Sequence, residues 1–269
     1  MLCPLCKSGC RSMPDHPQAK LFRCAGCGHA FTDPESIRDP EQYSDSYYTE
    51  VHKRWFDNPN VALFQQVLAK IPQGASVVDV GCGKGDFLKY AHSVRPDLRL
   101  TGIDLSPNTD TDSIRFIQGD ILATAIPEQF DTVVSLAVIE HIERVKDFVV
   151  ALRKLVKPTG LLIVMTINDG SLLYAAGRLG RSVGVPLAYN RLYSIHHLHH
   201  FTHSSLIALM TGSGCAVKQH IDHNAPVKAM DLPVKNKLLD SVLRTGLYGL
   251  WAAGRVTRRS YLQTVICSA

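Results

Sequence analysis

From residue 75 onward, apolar residues fall into short β-branched runs separated by stretches with helical spacing. Val77-Val78-Asp79-Val80 predicts a first strand, Leu98 to Ile103 a second and Phe116-Ile117-Gln118 a short third. Thr132 to Leu136 predicts a fourth and Leu161 to Met165 a fifth, bounded by Pro158 and Gly160. Asp86 to Ser93 fits a helix after the first strand. Val145 to Val156 fits another before the fifth, with Phe148, Val149, Leu152, Leu155 and Val156 at helical spacing. Strands alternating with helices predict an open, doubly wound α/β sheet whose ligands bind at the carboxyl ends of its strands. A further helix starts at Ser204, and Ala216 to Ile221 and Tyr261 to Cys267 read as the last two strands. Between those strands Leu238, Leu239, Val242, Leu243, Leu247, Leu250 and Trp251 make one apolar stripe, with Lys237, Asp240 and Arg244 off it.

Residues 1–32 follow neither period and are poor in apolar residues, so another device must hold them. Two C-x2-C pairs, Cys3/Cys6 and Cys24/Cys27, supply it: their spacing is that of a structural Zn2+ site of four thiolates, saturated and therefore without an open position for catalysis. Cys10 and His29 lie nearby but outside the paired pattern. The chain has 269 residues, 45% hydrophobic and 20% charged, enough for one substantial core plus a small module. Its net charge of +5 is unevenly spread. Residues 1–177 hold 18 bases and 21 acids, residues 178–269 hold 11 and 3. No run of 18 apolar residues and no secretory signal pattern occurs, so a reducing cytoplasm is the expected compartment.

The loop after the first strand, Gly81-Cys82-Gly83-Lys84-Gly85-Asp86, departs from a dinucleotide fingerprint, which needs glycine where Asp86 stands. Asp79, Gly81, Gly83 and Gly85 instead make D-x-G-x-G-x-G. Asp104 closes the second strand, Asp120 follows the third, and Phe130-Asp131-Thr132-Val133-Val134-Ser135 and Leu155-Val156-Lys157-Pro158-Thr159-Gly160-Leu161-Leu162 come in the expected order. The series resembles the class I methyltransferases that use S-adenosylmethionine (SAM), in a branch with an N-terminal zinc ribbon. The resemblance implies a seven-stranded Rossmann-like sheet. It also implies that Asp79, Gly81, Gly83, Gly85 and Leu136 surround the cofactor, that Asp104 chelates the ribose hydroxyls, and that Asp120 caps the adenine amino group between Leu105 and Ile121. The expected divisions are a ribbon at 1–32, a linker and helical cover at 33–74, and a methyltransferase domain at 75–269, with a substrate lid at 170–194 and an accessory helix at 233–254.

Methyl transfer from a sulfonium needs alignment, exclusion of water and, for a hydroxyl acceptor, a base. A histidine serves at neutral pH. His141 follows the fourth strand, on the loop that faces the methyl group in this family, and similar sugar O-methyltransferases pair that base with an acid after the fifth strand, where Asn168 and Asp169 stand. Some relatives bind a metal through E-x-x-E-H here; Ala137 replaces the first glutamate, which argues against catalytic Mg2+. His197, in Ile195-His196-His197-Leu198-His199-His200-Phe201-Thr202-His203, matches the family's H-x3-F-[ST] segment, with Thr202 as helix cap, and is the second base candidate. Lid residues Tyr174, Arg178, Arg181, Tyr189, Arg191 and Tyr193 are candidates to grip the acceptor, and Tyr43, Tyr47 and Tyr48 to close over SAM.

The function that follows is methylation of a small molecule, at a sugar, polyketide or quinone-like hydroxyl. Two alternatives are methylation of an RNA base and a non-catalytic SAM-binding adaptor. The low aromatic content, 7%, and the absence of an N-P-P-Y type motif argue against nucleic acid. The basic C-terminal third suits an anionic or lipid-linked acceptor, and the stripe at 238–251 with Arg255, Arg258 and Arg259 suits peripheral contact with anionic lipid.

Overall fold

A computed structural model of the chain describes residues 1–38, 53–232, 234 and 236–268. Tyr43, Tyr47 and Tyr48 lie outside the described residues. The chain opens with three short antiparallel strands, β1 (Cys10–Ser12), β2 (Leu21–Cys24) and β3 (Ala30–Thr32), followed by α1 (Lys53–Asp57) and α2 (Val61–Leu68). Asn60 caps α2 by accepting from the Leu63 amide. Then come β4 (Ser76–Val80), α3 (Asp86–Val94), β5 (Arg99–Asp104), β6 (Ile114–Gln118), β7 (Phe130–Leu136), α4 (Val145–Lys154) and β8 (Val156–Ile167). Helices α5 (Leu172–Ser182) and α6 (Leu187–Leu192), the two-residue strand β9 (His199–His200), α7 (His203–Gly212), β10 (Ala216–His223), α8 (Lys237–Thr257) and β11 (Leu262–Ser268) complete it.

The main sheet has seven strands in the order β10-β11-β8-β7-β4-β5-β6. β4, β5, β6, β7 and β8 run parallel, and β11 pairs antiparallel with both β8 and β10. The central strands are apolar throughout because both faces are covered. Val77 packs with Leu63, Leu88 and Ala91, while Val78 and Val80 pack on the other face with Val149 and Leu152. Each such side chain, fully removed from water, contributes roughly 1.5–3 kcal/mol. The chain leaves β4 toward β5 and β6 on one side and returns to β7 and β8 on the other. The carboxyl ends of β4 and β7 therefore form the crevice where such sheets bind ligands.

Three elements differ from their sequence expectation. Strand β8 starts at Val156, five residues before the predicted Leu161, and absorbs Pro158 and Gly160 at a register shift against β7 between Phe130 and Thr132. Helix α4 accordingly stops at Lys154. In α8 the single predicted stripe divides: Leu247 and Trp251 are buried, whereas Leu238 and Val242 are 76% and 59% exposed. Arg244 points inward instead, pairing with Asp240 and donating to the Val227 and Met230 carbonyls. Among the described residues no helix is long and apolar enough to cross a membrane.

The second sheet joins the two ends of the fold. Its order is β1-β2-β3-β9, with Ala30 opposite His200 and Phe31 opposite His199. The cysteine-bearing module is thus completed by a strand from the segment just before α7.

Candidate active site

The turn from β4 into α3 is shaped by glycine. Gly81 has φ +76°, and a Cβ there would stand 2.4 Å from the Val138 side chain. The Gly83 amide donates to Asp104 Oδ2 at 2.8 Å, while Asp104 Oδ1 accepts from the Ser106 amide at 2.8 Å. Asp104 is thereby fixed at the end of β5 with lone pairs left to accept more. Asp79 lies beneath the loop, buried, and its Oδ1 has no hydrogen-bond partner among the described residues. Burial, reinforced by Asp104, raises its carboxyl to about 8. A buried, unsatisfied carboxyl of this kind is a receptor for a cation, and SAM carries both an ammonium and a sulfonium. Asp120, after β6, accepts from the Leu122 amide at 2.8 Å. Leu105 is 70% exposed at the rim.

Apart from Asp79, these groups border a cavity of about 470 Å³, lined by Gly81, Gly83, Asp104, Leu105, Asp120, Ile121 and Leu136 together with Glu140, His141 and His197. Asp79 and Leu136 line a smaller adjoining space of about 110 Å³. Gly85, with φ +75°, precedes α3 and lines neither. Trp55 borders both spaces and Tyr261 the larger one. Sequence reading missed both; a lone tryptophan beside Lys53 and Arg54 was the available signal.

His141 sits on a single 3-10 turn, Ile139–His141, just past β7. Its Nδ1 lies 2.6 Å from the His196 carbonyl oxygen. A carbonyl only accepts, so Nδ1 carries the hydrogen and Nε2 holds the lone pair of the neutral ring. Burial pushes this imidazole down to about 4, so it is neutral at physiological pH. The His197 ring meets it edge-on at 4.9 Å. Glu140 is buried, accepts from the Thr166 hydroxyl at 2.7 Å and is raised to about 7 by burial. The ligand atoms of Glu140, His141 and His197 lie within 4.8 Å of one another. This trio can hold a divalent cation, but only one of its members offers the oxygen that Mg2+ prefers.

A model of the methyltransferase domain matches residues 49–220, more than half of the chain. The chain belongs to the methyltransferase-domain family. Its fold is that of the class I SAM-dependent methyltransferases. A methyltransferase solved in a complex with the Haloferax volcanii Trm112 methyltransferase activator superposes with a TM-score of 0.58 at 16% identity, covering 86% of this chain and 99% of that one. Burkholderia thailandensis 1,6-didemethyltoxoflavin-N1-methyltransferase gives 0.54 at 13% identity, over 90% and 96%. The ubiquinone biosynthesis O-methyltransferase of Rickettsia bellii is 33% identical over 111 residues, 38% of this chain and 45% of that protein. The mitochondrial enzyme of the same name from Dictyostelium discoideum is 32% identical over 129 residues, 40% of each. The chain thus spans under half the length of these relatives.

Among the described residues no hydrogen bond joins Asp169 to His141. Asp169 is 1% exposed, its carboxylate is held by both terminal nitrogens of Arg23 at 2.7 and 3.1 Å, and it also accepts from Arg178 at 3.2 Å and from the Tyr193 hydroxyl. These cations hold it below the ordinary carboxylate range despite burial. Asn168 is likewise taken up by the backbone of Ser260 and Gly170. Contrary to expectation, Tyr174, Tyr189 and Tyr193 are buried away from the cavity. The Tyr189 hydroxyl donates to the Pro14 carbonyl, and Arg181 donates to the Asp15 carbonyl. The helices at 170–194 therefore pack their polar side chains against the cysteine-bearing module.

That module brings Cys3, Cys6, Cys24 and Cys27 together with their sulfurs within 4.8 Å of one another. The Cys3–Cys27 and Cys6–Cys24 sulfur separations are 3.7 and 3.4 Å. A tetrahedral Zn2+ with Zn–S bonds of about 2.3 Å sets its sulfurs about 3.8 Å apart, so the donor set and spacing fit that ion. The amides of Gly26 and Cys27 donate to the Cys24 sulfur at 3.3 Å, as thiolate ligands require. His29 lies outside the cluster, its Nε2 3.0 Å from His199 Nδ1.

Proposed function

We propose that the protein methylates a hydroxyl of a small quinone-like aromatic, with His141 as general base. The observation that carries this reading is the neutral His141 ring, its Nδ1–H committed to His196, lining the same cavity as Asp104 and Asp120. Bound SAM would supply an electrophilic methyl group on its sulfonium. Asp79 would take the ammonium, Asp104 the ribose hydroxyls and Asp120 the adenine amino group, with Leu105 and Ile121 on either side of the ring. His141 Nε2 would accept the hydroxyl proton as that oxygen becomes a nucleophile, and His197 would pack beside the acceptor or share the proton. Among the hydroxyls considered, the quinone-like one is favoured because the relatives at 32–33% identity bear that name. The same relatives favour it over an RNA base or a non-catalytic adaptor role. For Asp169 the contacts support a holding role rather than proton transfer.

A structural Zn2+ on Cys3, Cys6, Cys24 and Cys27 belongs to this reading, as does a reducing, cytoplasmic compartment, since free thiolates must be kept from oxidation. A lipid-linked acceptor is supported by the outward face of α8, where Leu238, Val242 and Val256 are 76%, 59% and 86% exposed beside Arg255 and Arg258. The test is turnover with catechol as acceptor. His141→Ala should lower kcat by about 10²–10⁴; a variant within twofold of wild type would remove His141 from the role.

A further inference from the structure

The cysteine-bearing module grips the chain after β8 and just before β9 at two points, one electrostatic and one through the backbone. On β2, next to Cys24, Arg23 makes a two-pronged ion pair with buried Asp169, the second residue beyond β8, and is steadied by the Gly28 carbonyl at 3.0 Å. Asp169 in turn donates its amide to the Phe201 carbonyl at 2.8 Å, immediately after β9. On β3, Thr32 donates its hydroxyl to the His197 carbonyl at 2.9 Å and its amide to the Leu198 carbonyl at 3.0 Å. The segment so gripped supplies both the His196 carbonyl that fixes the His141 tautomer and the His197 ring that lies against it. Among the described residues β9 pairs with β3 and with no strand of the seven-stranded sheet.

We propose that Arg23 and Thr32 are positioning residues for methyl transfer: they dock the cysteine-bearing module so that His196 and His197 hold His141 as a base. The inference rests on the reading of His141 as that base. It makes the module a working part of the acceptor site, while among the described residues no hydrogen bond joins the module to β4, β5 or β6. Loss of either residue should therefore disturb His141 while leaving SAM binding in place. Arginine is required at position 23, because the two-pronged contact with Asp169 needs a planar fork that lysine lacks.

The experiment uses the full chain with Zn2+ bound, comparing wild type with Thr32→Val, Arg23→Ala and Arg23→Lys. Ring-nitrogen NMR of labelled histidine reads the tautomer directly, with the His141 signal identified by its loss in His141→Gln. Wild type should show His141 as the Nδ1–H form alone. Thr32→Val, which keeps the side-chain shape, and Arg23→Ala should both show a mixture of tautomers, with calorimetric SAM affinity within about twofold of wild type. With catechol, kcat should fall about tenfold or more, since small misplacements of a reacting group are costly. Added guanidinium should restore part of the Arg23→Ala loss, and Arg23→Lys should stay impaired. An unmixed Nδ1–H signal in both Thr32→Val and Arg23→Ala would overturn the proposal, as would a matching loss of SAM affinity, which would mark a global defect. Should Arg23→Ala not fold, Thr32→Val decides alone. Failure of wild type to methylate catechol would count against the acceptor reading, and the tautomer measurement would still decide this one.

Discussion

His141 and Asp79 show how burial sets chemistry one group at a time. Burial lowers His141 to about 4, below its ordinary value, so the ring remains a competent base well into the acid range. The acid limb of kcat with catechol should therefore lie below the pH 6.5 of a free histidine; a limb at that pH would mean that an exposed histidine is the base. Asp79 moves the other way, up to about 8. Between its unfolded value near 3.9 and its folded value, the native carboxyl holds a proton that the unfolded one has lost, so it costs stability increasingly as pH rises through that window. A cationic ligand expels this proton. Calorimetry of SAM binding at pH 7, repeated in buffers of different ionisation enthalpy, should register release of close to one proton, falling away above pH 8; none at pH 7 would contradict the assignment of Asp79 to the ammonium. Asp79, Asp104 and Asp120 could be proposed from the sequence because each stands at or near the carboxyl end of a strand, beside its own loop. Asp169 was misread for a matching reason: its position after β8 is right for a catalytic acid, but its partners Arg23 and Tyr193 come from distant segments that no local pattern announces.

Among the elements, the central strands β4, β7 and β8 could be read from their apolar runs, because a sheet covered on both faces leaves a continuous apolar signal, whereas the edge strands β6 and β10 are only partly buried. β9 left no such signal. Two histidines form a strand only because β3 presents an edge to them. Their burial has a measurable cost. His199 and His200 are driven down to about 4 and about 3, and His223, against Thr264, to about 4. Each folded value lies below the unfolded one near 6.5, so the unfolded chain gains protons first as pH falls and stability declines below about pH 6.5. Urea melts should show a lower unfolding free energy at pH 5 than at pH 7.5, with His223→Asn reducing the difference; equal stability at both would refute the buried neutral state. In α8, burial of Leu247 and Trp251 leaves Leu238 and Val242 outward. Leu238→Glu with Val242→Glu should abolish sedimentation with phosphatidylglycerol vesicles and leave SAM affinity unchanged, and wild type that fails to sediment would remove the lipid contact.

At the scale of the whole molecule, the cysteine-bearing module and the seven-stranded sheet share one histidine segment. A module too small to fold on its own core depends on its ion. The purified protein should hold one Zn2+ per chain, and its removal by chelation should lower turnover far more than it lowers SAM affinity; metal-free protein with full turnover would contradict the coupling. The central claim, however, is that Asp79, Asp104, Asp120 and the glycine loop form a SAM site, and titration calorimetry tests it most directly. Wild type should bind SAM with one site per chain, and Asp104→Ala should weaken binding by roughly 1.5–3 kcal/mol for each charged hydrogen bond lost. Absence of SAM binding by wild type, or equal affinity in Asp104→Ala, would contradict the account.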